Sequence, residues 1–280
     1  MSIPQCFRNI QFAQQAGGTC WFHSIVNGFL VTPRGRRLLN KAYYLYITTN
    51  RNAQPKYNYL TSCPRRGTID LNSFWTYILY RLGKFRLLPN EVNNSEFQAI
   101  RNFRRNRRVN GGTEADVVRL CQVVFGSVKL PNNRQNMGIN RPTVVNRTRI
   151  GPRSPVYIDY AEDPEYITLH PNGLPDYILN HIYISIDAGN MSGSGHAITG
   201  FKCTTCSRTR SNGTRRRVSC NNQRSHKQKT VRYIYDSNSL LPVKLDWMNK
   251  NEILRYARLN YPEIRIPDIT YIGVYIKKEI

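Results

Sequence analysis

The sequence predicts an α+β fold, and three observations predict it. Apolar residues recur at helical spacing through the first half of the chain. The second half is built of short β-branched and aromatic runs separated by Pro, Gly and Asn. A composition of 40% hydrophobic residues, with 18 Tyr and 10 Phe, supplies the apolar mass for a real core. Helices first and strands second is the order of an α+β architecture, in its simplest form one domain with two facing lobes. In this reading residues 1–150 are the mainly helical lobe and 151–280 the mainly β lobe.

Residues 1–18 read as a loop that feeds a helix opening at Cys20, with Trp21, Ile25, Val26 and Phe29 at helical spacing. The stretch RGRRLLNKAYYLYIT gives a second helix, and DLNSFWTYILYRLGKF a third with Asp70 or Asn72 as its cap. EFQAIRNFRR is a short fourth helix that runs into the basic cluster around Arg104 and Arg108. Thr113 and Asp116 stand at capping-box spacing before an apolar face of Val117, Leu120, Cys121 and Val124, so Cys121 reads as a core residue. Six strands are then expected, at VYIDYA, YITL, NHIYISID, HAITGFKC, VRYIYDS and TYIGVYIKK. One helix, DWMNKNEILRYARLN, interrupts them.

The charge balance narrows the setting. With 41 Lys+Arg against 17 Asp+Glu the chain carries +24, which fits work beside a polyanion: nucleic acid, an acidic protein or an anionic membrane surface. The opening MSIPQCFRNIQ lacks the apolar core of a signal peptide, and no run approaches the length of a bilayer span. A soluble, intracellular protein is expected. Seven cysteines, odd in number and unevenly spaced, then read as metal ligands where clustered and as packing or catalysis where alone, not as a disulfide framework.

Cys20 is the lone cysteine with a chemical placement. Two glycines deliver it to a helix N-terminus, where free N–H groups and the positive end of the helix dipole favour a negative sulfur. A nucleophilic thiolate needs a base that can return the proton to a leaving group, a task suited to His at neutral pH. Of five histidines, His196 stands out at the start of an apolar strand behind the small-residue loop SGSG. His23 lies one turn along from Cys20 on the same helix and reads as a helix-face residue; His170 and His181 read as structural. If HAITGFKC and VRYIYDS pair as an antiparallel hairpin, Asp236 comes level with His196 and can orient it, with Asn238 on the same strand face as the alternative.

Residues 203–229, between those two strands, form a basic insert rich in Cys and His where a hairpin needs only a few residues. Cys203 and Cys206 make a CxxC half-site, and Cys220 with His226 would complete a structural zinc tetrahedron. A metal would order a loop too polar to fold by apolar burial. Arg208, Arg210, Arg215, Arg216, Arg217, Arg224, Lys227 and Lys229, with no acid among them, mark the insert as a nucleic-acid contact without base-specific readout.

GGTCWFHSIVNGFL is similar to the cysteine box of papain-like proteases, deubiquitinases above all, and departs from it at His23. GHAITGF followed by YIYDSN resembles their histidine box. With PRGRRLL after the first helix, the combination most resembles the papain-like cysteine proteases of giant and other large DNA viruses, over a span from about Gln14 to the final strand. The resemblance implies a papain-like fold and a thiol peptidase or isopeptidase with Cys20 as nucleophile, His196 as base and Asp236 as orienter. It also implies an oxyanion donor beside the Cys20 N–H: Gln15 at the deubiquitinase spacing, Gln14 at the papain spacing. No cofactor is required for such chemistry, and the substrate is a protein, ubiquitin-like or viral, in the host cytoplasm or a virion. Two other readings share the constellation: an inactive scaffold held to nucleic acid or virion components by its basic surface, and an acyl transferase in which an amine resolves the thioester.

Overall fold

The structure, a computed structural model, describes residues 19–39, 42, 82, 112–125, 128–129, 155–169, 176–187, 195–209, 215–218, 227–239, 241–264 and 267–278. Four helices are α1 (Cys20–Val31), α2 (Glu114–Phe125), α3 (Pro164–Leu169) and α4 (Lys250–Asn260). Residues 33–39 are also helical. The strands are β1 (Val128–Lys129), β2 (Val156–Ala161), β3 (Tyr177–Asp187), β4 (His196–Thr209), β5 (Arg215–Val218), β6 (Lys227–Asp236), β7 (Val243–Lys244) and β8 (Asp268–Lys277). The fold is α+β. All eight strands join one sheet in the order β1-β2-β8-β3-β4-β6-β7, with β5 on β4, and every pairing except β1 with β2 is antiparallel.

Helices cover both faces of this sheet. Ten of the 12 residues of α1 are buried, so it is a core helix and not an amphipathic surface one. Its Trp21, Phe22, Ile25, Val26 and Phe29 join Val117 and Leu120 of α2 and Tyr183, Ala197 and Val274 of the sheet. Burial of each large aliphatic or Phe side chain contributes about 1.5–3 kcal/mol. On the other face Ile182, Ile184, Ile198 and Ile234 meet Trp247 and, from α4 and its C-cap, Ile253, Ala257 and Tyr261. The alternation along β3 and β4 that separates the two sets is the period-2 pleat.

A register shift in β3 between Leu179 and His181 joins the sheet to α1. The shift lets two consecutive residues serve the helix. Asn180 donates to the Gly28 carbonyl (3.0 Å) and accepts from the Thr32 hydroxyl, while the His181 ring lies edge-on to Phe29. A Cβ on Gly28 would fall 2.1 Å from His181 Cδ2, so only glycine allows this approach.

Several elements follow the sequence reading and several correct it. The capping box is present, with the Asp116 carboxylate accepting from the Thr113 N–H at 2.8 Å, and Cys121 is fully buried. YITL is not a strand. It lies in α3, because Asp163 accepts the Glu165 N–H (2.8 Å), Pro164 fits the first helical position and Glu165 suits the positive helix end. Local capping overrides β-propensity there. The interrupting helix starts later than expected, at Lys250, with Asn249 as cap. Of the expected helices, DLNSFWTYILYRLGKF and EFQAIRNFRR lie outside the described residues, save for Leu82.

The 203–229 insert is not simply a loop. β4 runs on to Thr209, β6 starts at Lys227, and β5 folds back on β4, so ladder hydrogen bonds order much of it. Cys203 is buried beside Phe201, Tyr235 and Val31, and it is disulfide-bonded. A single bridge is not the disulfide framework that the sequence argued against. The side chain of Cys206 and the whole of Cys220 and His226 lie outside the described residues. Among the described residues no group of three or more His, Cys, Asp or Glu is placed to hold a metal. Nor, among them, is any helix long and apolar enough to cross a membrane.

Candidate active site

α1 delivers Cys20 at its first residue, and β4 delivers His196 at its own. Two reciprocal buried hydrogen bonds fix one element on the other. Ser24, one turn along from Cys20, donates its hydroxyl to the Ala197 carbonyl (2.7 Å), and Thr199 donates to the Ser24 carbonyl (2.6 Å). The pair holds the start of α1 beside the start of β4. Cys20 is partly exposed, and its hydrogen bonding and charge are among the influences that raise the His196 pKa, which sets the thiol near the imidazole.

The hairpin of β4 and β6 forms, with a small change of register. Asp236 pairs with Ile198, so it is diagonal to His196 and not level with it. The two-residue offset keeps both side chains on one face, and diagonal neighbours are near enough for long side chains to meet. They do: Asp236 Oδ1 lies 3.0 Å from His196 Nε2. Asp236 also accepts from the Asn238 N–H (2.9 Å), from the Tyr256 hydroxyl (2.9 Å) and from the Tyr261 hydroxyl. Four donors satisfy a buried carboxylate. Burial alone would raise its pKa, but these donors, with His196 first, hold it below the ordinary carboxylate value.

Tyr256 and Tyr261 were not anticipated from sequence. Tyr261 stacks on His196 with ring centroids 4.1 Å apart, and its hydroxyl lies 2.7 Å from Nε2. Burial, then Asp236, pushes the phenol far above its ordinary pKa, so it keeps its proton. One proton and several contacts settle the direction of each bond. Tyr261 donates to Asp236 Oδ2 and accepts from His196 Nε2–H and from the Asn238 amide (3.3 Å). Nε2 then carries its hydrogen, and Nδ1 is the nitrogen left for Cys20. The only trace of this in the sequence is a pair of tyrosines at the end of a helix downstream of the histidine strand, which no spacing rule singles out.

Desolvation works against a charged His196, yet hydrogen bonds to Asp236 and Cys20 and their negative charges outweigh it, and the pKa is pushed up to about 9. The arrangement can accept a proton from the thiol at Nδ1, hold the imidazolium by Asp236, and release the proton to a leaving group. The two other described histidines, His23 and His181, have their own surroundings. His23 Nδ1 lies 2.9 Å from the Thr19 carbonyl, and burial lowers its pKa to about 4. His181 is buried in the core, lowered to about 3 by burial. His170, Gln14 and Gln15 lie outside the described residues. Asn238 reaches Asp236 through its backbone N–H and Tyr261 through its side-chain amide, and it is Asp236 that bonds His196.

No protein-family model matches the chain, and no curated protein or solved structure matches it either.

Proposed function

We propose that this chain is a thiol-dependent peptidase or isopeptidase of the papain-like kind. One observation carries the reading: a partly exposed thiol at a helix start meets an imidazole whose far nitrogen is held by a buried carboxylate. The order of parts, with the nucleophile on an N-terminal helix, the base at a strand start and the carboxylate on the paired strand, supports a papain-like arrangement. The Cys20 proton passes to His196 first, and the resulting thiolate attacks a peptide or isopeptide carbonyl. His196 then protonates the leaving amine, leaving a thioester on Cys20. Water, deprotonated by His196, attacks the thioester, and the acid and free thiol are released. The Cys20 N–H and Gln15, or Gln14 in the papain spacing, would hold the oxyanion; loss of one such donor costs about 3 kcal/mol of transition-state stabilisation.

The substrate we propose is a protein with a flexible carbonyl, ubiquitin-like or viral, in host cytoplasm or virion, and the basic strands add nucleic acid as a partner. The test is labelling of Cys20 by a peptide or ubiquitin carrying a C-terminal electrophile. Labelling that disappears in Cys20→Ala and His196→Ala sustains the proposal. A full absence of labelling and cleavage in the wild-type chain would leave the scaffold reading, which the dense basic strands favour. Reduction of the Cys203 disulfide would return a thiol to the set Cys203, Cys206, Cys220 and His226, and structural zinc is proposed for that form alone; metal analysis of reduced and oxidised protein tests it.

A further inference from the structure

The strands that carry His196 and Asp236 continue into a strongly cationic ribbon. From His196 to Asp236 the sequence holds ten Lys and Arg and one acid, Asp236, which is committed to His196 and the two tyrosines. The backbone register sets like charges against each other. Lys202 stands opposite Arg232, and farther out Arg208 stands opposite Arg216. Like charges directly opposite destabilise a sheet, so such pairing fits a surface that meets an anion.

The first pair is built and not incidental. Trp247 is fully buried and donates its indole N–H to the Phe201 carbonyl (3.1 Å), which fixes its ring against β4. Lys202 Nζ sits 5.7 Å and Arg232 Cζ 5.5 Å from that ring's centroid. Gly200 makes room for the indole, because a Cβ there would lie 3.0 Å from Trp247 Cγ. Asp246 takes Arg232 at 3.1 Å, but among the described residues no carboxylate pairs with Lys202, which is exposed. Partial burial and the neighbouring guanidinium lower the Lys202 pKa, a sign of an uncompensated cation. The next pair outward on the same face, Thr204 and Thr230, offers exposed hydroxyls 3.0 Å apart and no apolar surface.

We propose that the ribbon of β4, β5 and β6, rooted at Lys202 and Arg232, is a docking surface for the phosphate backbone of nucleic acid. Two register pairs of cations on β4, Lys202 with Arg232 and Arg208 with Arg216, stand about 20 Å apart at ~3.3 Å per residue, a separation that a linear phosphate polymer can bridge. Hydroxyls between the cations suit phosphate oxygens. Anionic bilayers attract basic segments by charge alone, so the vesicle arm of the test below separates them from nucleic acid. The inference rests on the nucleic-acid part of the proposed function and is independent of its peptidase part.

The test is the salt dependence of binding between the full chain and a fluorescently labelled oligonucleotide duplex. The expected result is a steep loss of affinity with salt, with the slope of log K against log salt reduced by about 1 in Lys202→Gln and by up to about 3 in Arg215→Gln/Arg216→Gln/Arg217→Gln. Far-UV circular dichroism should be unchanged in both variants. Equal slopes in wild type and both variants overturn the proposal, as does equal or tighter binding to phosphatidylserine vesicles or to a polyglutamate chain. Electrophile labelling of Cys20, measured in parallel, is expected to be the same in Lys202→Gln as in wild type, so failure of this surface and failure of the peptidase reading are separate results.

Discussion

The phenolic oxygen of Tyr261 sits 2.7 Å from Nε2 of His196 while its proton is committed to Asp236. The imidazole is thereby held by two acceptors on one nitrogen, and its plane is fixed by the stacked ring. Tyr261→Phe keeps the ring and removes the oxygen. The expected effect is a fall in kcat of about 10–100-fold, the worth of one hydrogen bond to a charged group, with KM little changed. A kcat equal to wild type would show that Asp236 suffices.

The alkaline limb of activity belongs to His196. Its pKa is pushed up to about 9, so the imidazolium needed to protonate the leaving amine is lost as pH rises through that value. Asp236→Asn removes the main source of the rise and should move the limb of kcat to lower pH. Folding stability follows the same sign. The contribution of this raised pKa is complete below about 6.5, the ordinary His value, and is lost as pH climbs from there through about 9. Denaturant melts at neutral and alkaline pH measure it.

Acid acts through different histidines. His23 is lowered to about 4 and His181 to about 3, both by burial, so at neutral pH each is uncharged in the folded chain. Above about 6.5 they add no pH dependence. As pH falls below that value the unfolded chain takes up protons that the folded chain refuses, and stability drops toward pH 4. Asp236, held low, adds a further loss below about 4, the ordinary carboxylate value. A His181→Gln variant should show a flatter slope of unfolding free energy between pH 6 and about 4, whatever its stability at pH 7.

Thr199 tests how the site is assembled. Thr199→Val is near-isosteric but leaves the Ser24 carbonyl without its 2.6 Å donor. The carbonyl keeps its helical partner, the Gly28 N–H, and loses only the second donor, so the cost is about 0.5–1.5 kcal/mol, readable as a shift of the denaturant midpoint. Because Ser24 is one turn from Cys20, labelling of the thiol should slow as well. Lost stability with unchanged labelling would show that α1 is seated by its apolar face alone.

What the sequence disclosed, and what it hid, divides by distance along the chain. Cys20 at a helix start and His196 at a strand start are local patterns, and hairpin arithmetic brought Asp236 to the right face with only a diagonal offset. The capping box at Thr113 was equally local. Tyr261 was hidden because α4 reaches the site through tertiary packing of Trp247, Ile253 and Ala257 on the sheet. α3 was misread because its β-branched residues follow an Asp-Pro-Glu start that commits the backbone to a helical turn. The ribbon was misread as a loop because its cations masked the alternation of a strand, and only the ladder with β5 and β6 reveals it.

The place of β8 has a consequence for the timing of assembly. It lies between β2 and β3 although it follows both by many residues, and its Ile272, Val274 and Ile276 help form the floor on which α1 rests. Joining such distant segments carries a large loop-closure entropy and is slow. Until that strand arrives, the sheet is two separate pieces and the helix bearing the sulfur lacks its seat. A nascent or partly unfolded chain is therefore expected to be chemically silent, with reactivity switched on by the final closure of the sheet.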